Sequence, residues 1–230
     1  MSIKALIHVR GGSERVDNKN MRPFAGSNLL AIKIKMLQPL VHSGCLDGVV
    51  VNSENDEMLQ FAASLGCETV KRDAYFARSE STANETWSEY ARTFPADIVV
   101  CTPVTSPLID SGTIRGCISG YFAGTADGKD SVNTVVGVRK YLWLDGKPIN
   151  YDTSKHTRSQ ELPDVVALTF GCSVISRELM QARGNVVGLN PLFVKLHDTE
   201  ALDVDTMFDF SIAEVLYKEQ TARTTRGAYR

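Results

Sequence analysis

Two short stretches, far apart in the chain, carry residues suited to polyphosphate chemistry. Near the start, Arg10-Gly11-Gly12-Ser13-Glu14-Arg15 follows an apolar run at 3–9 and leads to Lys19-Asn20. Paired glycines let backbone N–H groups converge on one point, and flanking cations add positive charge, so the loop suits a triphosphate. Near the end, Asp203-Val204-Asp205 sets two carboxylates at i and i+2, on one side of an extended backbone. Mg²⁺ favours one or two carboxylates completed by waters and substrate phosphates. Thr206 is placed to cap a following helix with Asp209 in its first turn, which makes Asp209 a capping group rather than a ligand. Neither common phosphate-loop pattern, GxxxxGKS/T or GxGxxG, is present. On these residues alone, a plain strand–helix turn and simple acidic helix capping remain open beside the nucleotide reading.

The elements that must hold these stretches alternate between short apolar runs and amphipathic segments, as in a parallel sheet flanked by helices. Strands are expected at 3–8, 48–52, 68–70, 97–101, 131–138 and 165–175. Helices are expected behind the glycine loop (Leu29, Leu30, Ile32, Ile34, Leu37) and at 56–65, 85–92, 113–122 and 177–183. The expected fold is one α/β domain over residues 1–230, a mostly parallel sheet with helices on both faces and its site at the carboxyl ends of the strands. The stretch 139–163 breaks the alternation. Asp145-Gly146 marks a hairpin turn between Trp143 and Ile149, and the segment reads as a protrusion. Exposed Tyr141, Leu142 and Trp143 there would need a partner surface, which suggests a homodimer, or would pack back on their own sheet.

With 230 residues, 43% of them hydrophobic, the chain is long enough for one well-filled core. A formal charge of −2 argues against a general nucleic-acid binder, though the cations between Arg10 and Arg22 suit a small anion. Five dispersed cysteines without a CxxC pair read as reduced thiols of a cytoplasmic protein. No apolar stretch is long enough to span a membrane, and the start lacks a signal-peptide core. His8, ending the first strand, reads as a hydrogen-bonded core histidine.

The glycine loop, continuing through Lys19-Asn20-Met21-Arg22-Pro23-Phe24, resembles the signature of the CMP-sugar synthetases. These include the acylneuraminate cytidylyltransferases and, more distantly, the 3-deoxy-manno-octulosonate cytidylyltransferases. The likeness continues in family order at Val49-Val50-Val51-Asn52-Ser53, Thr105-Ser106-Pro107-Leu108, Arg158-Ser159-Gln160-Glu161-Leu162-Pro163 and Asp203-Val204-Asp205-Thr206-Met207-Phe208-Asp209-Phe210. The resemblance implies cytidylyl transfer from CTP to an acidic acceptor, with pyrophosphate released and Mg²⁺ held by Asp203 and Asp205. It implies that Arg10, Gly11, Gly12, Ser13, Arg15, Lys19 and Asn20 hold the nucleotide, with Arg10 and Lys19 also catalytic. Thr82 and Asn84 lie where the family reads the nucleotide, although capping ahead of Glu85 explains them as well. Arg158, with Gln160, would face the acceptor's anionic group through its planar fork.

Three departures stand out. The family's lysine beside the phosphates is Glu14 here. Pro103 and Phe170 replace acceptor-side amides, which removes hydrogen bonds that a polyhydroxylated sugar acid would use. That loss leans toward a small phosphate or phosphonate as acceptor, while the resemblance, by what is common in the family, keeps a sugar acid as the leading one. Two readings of another kind remain: a nucleotide-sugar glycosyltransferase, which would release a nucleoside diphosphate, and a non-catalytic nucleotide-binding module.

Overall fold

In the computed structural model, which describes residues 1–13, 15–155 and 157–227, the apolar runs become strands and the amphipathic segments helices. In chain order these are β1 (Ile3–His8), α1 (Leu29–His42), β2 (Gly48–Ser53), α2 (Asp56–Ser64), β3 (Glu68–Lys71), α3 (Ala83–Thr93), β4 (Ile98–Cys101), α4 (Ser111–Thr125) and β5 (Ser131–Val138). There follow β6 (Trp143–Leu144), β7 (Lys147–Pro148), β8 (Val165–Ser176), α5 (Arg177–Arg183), β9 (Pro191–Lys195) and α6 (Met207–Gly227). Polar residues start the helices as expected. Asn28, Asn55 and Asp110 each accept from a backbone N–H three residues on, satisfying a donor the helix leaves open.

Seven strands form one sheet in the order β3-β2-β1-β4-β8-β5-β9. Ala5 of β1 lies opposite Val49 on one side and Val100 on the other, in parallel pairings. β8 alone runs against its neighbours, pairing antiparallel with β4 and β5. One apolar cluster packs α1, α2, α4 and α6 on one face, through Leu30, Leu37, Met58, Ile114 and Phe210. The other face carries α3 and α5, through Tyr90, Ala91 and Met180 against Leu6 and Val50. The mostly parallel α/β sheet with helices on both faces is thus the observed architecture.

β6 and β7 pair only with each other, closed by Asp145 and Gly146, both at positive φ. This is the turn conformation an Asp-Gly pair adopts at low cost. The hairpin's aromatic residues pack among themselves, Tyr141 against Tyr151 at 4.9 Å, while Trp143 and Leu144 stay 53% and 62% exposed. One element goes beyond the sequence reading: β9 is a short edge strand that begins at a proline, which edges tolerate. The helix expected after Thr206 is α6, with Asp209 in its first turn; it runs 21 residues with little amphipathic contrast, so its length left no clear periodic mark.

Candidate active site

The strands β1, β3 and β4 deliver their carboxyl ends to one cleft of about 530 Å³. Its wall includes Arg10, Ser13, Arg15, Lys19 and Asn20 from the glycine loop, and Pro103, Val104 and Thr105 after β4. The loop is held in shape from behind. Asn20, 6% exposed, donates its Nδ2 to the Arg10 carbonyl at 2.9 Å. Gly11 donates its N–H to Glu54 Oε1 at 2.6 Å, and a Cβ there would sit 3.0 Å from the Asn55 side chain. Of the Gly11–Ser13 backbone expected at the triphosphate, the Gly11 N–H is thus engaged by a carboxylate in the structure. Gly12 is open, with nothing near the place of its missing Cβ.

Glu54 also pairs with Arg72, whose guanidinium is buried and donates to the Val9 carbonyl at 2.7 Å and to the Tyr90 hydroxyl. Its hydrogen bonds to Gly11 and Arg72 outweigh burial and keep the Glu54 carboxyl below its ordinary value. Neither Glu54 nor Arg72 announced itself in the sequence, since each depends on contacts between separate elements. His8, beside them, is not the hydrogen-bonded core histidine expected. It lines the cleft, stacks on Tyr90 at 5.3 Å and meets Trp87 edge-on at 5.1 Å. Burial, helped by the Arg72 charge, lowers it to about 4, so the imidazole is neutral at physiological pH.

The late aspartates meet the glycine loop. Arg15 Nη2 lies 2.9 Å from Asp205 Oδ1, and Lys19 Nζ lies 4.0 Å from the same oxygen. Lys19 Nζ also donates to the Val204 carbonyl at 2.7 Å. Burial lowers the Lys19 pKa, opposed by the charges of Asp205 and Asp203. Asp203 shifts the other way. Burial raises it, and the neighbouring Asp205 adds to the rise against a hydrogen bond from Thr105. Asp209 is a capping group: its Oδ2 accepts from Asp205 N, Thr206 N and the Thr206 hydroxyl.

Other expected site residues are placed differently. Thr82 forms a reciprocal cap with Glu85, and Asn84 Nδ2 donates to the Gly184 carbonyl at 3.1 Å, tying α3 to the end of α5. Neither lines the cleft, although their neighbours Ser81, Ala83 and Thr86 do. The two side chains make the helix cap and the helix–helix attachment, the capping alternative given for them above. Arg158 and Gln160 lie on an exposed turn at Ser159–Glu161, and the structure does not bring them into the cleft wall. Pro103 does line the cleft. Phe170 does not, but holds a left-handed backbone (φ 54°) and is 45% exposed beside Gly171. Glu14 lies outside the described residues.

Among the described residues no group of three or more His, Cys, Asp or Glu assembles as a metal site. The Asp203–Asp205 pair nonetheless fits a magnesium ion in donor chemistry. Both are hard oxygen donors, and each bears on the other's charge. Two carboxylates leave the remaining positions to phosphate oxygens and water.

Residues 4–148 match the family model described as Cytidylyltransferase. The chain is 24% identical over 231 residues to the post-translational flagellin modification protein B of Campylobacter coli, covering 95% of this chain and 96% of that one. It is 24% identical over 221 residues to N-acylneuraminate cytidylyltransferase A of Danio rerio, covering 92% of this chain but 50% of that longer protein. Among solved structures, CMP:2-keto-3-deoxy-manno-octonic acid synthetase complexed with CTP superposes with a TM-score of 0.69 at 13% identity, over 96% of this chain and all of that one. No helix among the described residues is long and apolar enough to cross a membrane.

Proposed function

The chain belongs to the cytidylyltransferase family, and from that premise we propose that it transfers CMP from CTP to a sugar acid and releases pyrophosphate. The observation that carries the reading is the meeting of Arg15 and Lys19 with Asp205 at one cleft. The cationic loop lines a cleft of polyphosphate size, and the carboxylate of Asp205, far away in sequence, meets that loop at Arg15 and Lys19, while neither Asp203 nor Asp205 is itself cleft wall. The sugar-acid acceptor is supported by the names of the relatives, two of which act on such acids.

In this reading the acceptor oxygen attacks the α-phosphorus of CTP, forming the P–O bond as the bond to the β-phosphate oxygen breaks. Arg10, Arg15, Lys19 and the Ser13 side of the loop hold the triphosphate and neutralise the departing pyrophosphate. Asp203 and Asp205 would hold Mg²⁺, which when bound supplies charge neutralisation to the phosphoryl oxygens. Thr105 holds the backbone between the two aspartates, its carbonyl accepting from Val204 N at 2.8 Å. Pro103 and Val104 give the cleft near Thr105 an apolar wall. Arg158 and Gln160 would reach an acceptor only in an assembly that brings their turn to a cleft. A homodimer built on the exposed 139–163 segment is the proposed means, supported by Tyr141, Trp143, Leu144 and Ile149 at 43–62% exposure. Five free cysteines suit a reducing cytoplasm.

The test is CTP, Mg²⁺ and a panel of sugar acids, phosphates and phosphonates, read by pyrophosphate release. Release with a sugar acid and CTP supports the reading. Release only with a phosphate or phosphonate moves the acceptor class, and equal rates with every nucleoside triphosphate remove the cytidine preference. Sedimentation of Leu144→Asp beside wild type tests the dimer, which is overturned if wild type sediments as a monomer.

A further inference from the structure

Lys33 is an oddity of the fold. It lies on α1 among Leu29, Leu30, Ile32, Ile34 and Leu37, and is 1% exposed. A buried ammonium needs partners, and this one has two from a single segment. Its Nζ donates to the Ser106 carbonyl at 2.8 Å and to the Thr102 hydroxyl at 3.2 Å. Thr102 in turn donates to the Gly171 carbonyl of β8 at 3.0 Å. The amine therefore pins both ends of the stretch 102–106, whose middle residues Pro103, Val104 and Thr105 form cleft wall. Thr105 then carries the connection to the carboxylates: its carbonyl accepts from the N–H of Val204, the residue between the two aspartates, at 2.8 Å.

We infer that Lys33 is a positioning residue, which fixes the 102–106 segment from below and through Thr105 sets the place of Asp203. The chain of contacts runs Lys33, Thr102 and Ser106, Thr105, then Val204 and Asp203. The chain meets the glycine loop at its far end, where Lys19 Nζ donates to the Val204 carbonyl at 2.7 Å. Lys33 thus bears on the carboxylate side of the cleft before the triphosphate side. Its surroundings are otherwise the thiols of Cys172 and Cys101, with the Asp203 charge farther off. Burial lowers the amine to about 7, which marks it as costly to keep there. A methionine of similar length would remove that cost, so retention of a lysine fits a requirement for its donors.

The inference rests on the proposed transfer reaction for its kinetic arm but not for its structural arm. Lys33→Met keeps the volume and removes both hydrogen bonds; Thr102→Val removes one of them from the other side and stands in if Lys33→Met does not fold. Hydrogen exchange should quicken by about tenfold at 202–205, with the glycine loop unchanged. At saturating CTP, Mg²⁺ and N-acetylneuraminate, kcat should fall about tenfold or more while KM for CTP moves less than about twofold. A merely structural lysine would lower the melting temperature and spare that split. Unchanged exchange at 202–205, or loss of CTP affinity in step with kcat, overturns the assignment. If wild type transfers to no sugar acid, the acceptor reading fails and Lys33 is judged on exchange and CTP affinity alone.

Discussion

Lys19 donates to the carbonyl of Val204 at 2.7 Å, across 185 positions of sequence. That bond seats the cation between the two aspartates and fixes the backbone on which they stand. Arg15 reaches Asp205 from the same side. Where the nucleotide loop and the carboxylate pair join, the contact is direct.

Replacing both Asp203 and Asp205 by Asn should lower pyrophosphate release by about 10²-fold or more, since charge placed for the transition state is lost. Stability should change little for Asp205→Asn, within about 0.5 kcal/mol, because its partner Arg15 is 66% exposed and such pairs contribute weakly. Turnover at the wild-type rate in the double variant would remove the mechanism.

Glu54→Ala should unfold more easily in urea by about 3 to 5 kcal/mol, because it strands the buried Arg72 guanidinium. It also frees the Gly11 N–H. A variant with the wild-type denaturation midpoint would show that the Glu54–Arg72 pair does not brace the loop.

His8 gives stability a definite pH dependence. The unfolded histidine protonates near 6.5 and the folded one near about 4. Between those values the unfolded chain binds the extra proton, so stability present above pH 6.5 is lost as pH falls towards 4, then levels off. The contribution is roughly 3 kcal/mol at most. Subtracting the profile of His8→Phe, which keeps an aromatic ring between Trp87 and Tyr90, should isolate that slope. Identical profiles would exclude it.

Asn84→Ala should cost about 1 kcal/mol of stability through lost bonds to the α5 terminus, while CTP affinity stays within about twofold. Calorimetric titration with CTP checks this, and a large loss of affinity would return Asn84 to the nucleotide.

Much of the framework was legible because it is written in local pattern. The apolar runs of β1, β2 and β4 and the cap residues Asn28 and Asn55 act within a few positions of themselves. The loop of paired glycines and the aspartates likewise stand out by spacing, and the structure brings Arg15 and Lys19 to Asp205. What stayed hidden is made by distant partners. Lys33 looks like an interruption in an apolar helix until Ser106 and Thr102 appear beside it. Arg72 and Glu54 look like solvated charges until β1 and α3 close over them. Thr82 and Asn84 stay ambiguous for the opposite reason, since a polar pair at a helix start suits a ligand and a cap equally.

The reversed course of β8 separates two evolutionary problems. Because β8 enters the sheet at the edge where β5 leaves it, everything between them is looped out on the side where chemistry occurs. Residues added, deleted or exchanged in that span leave every pairing of β1, β2 and β4 as it is. Such an enzyme can change its customer while keeping its currency.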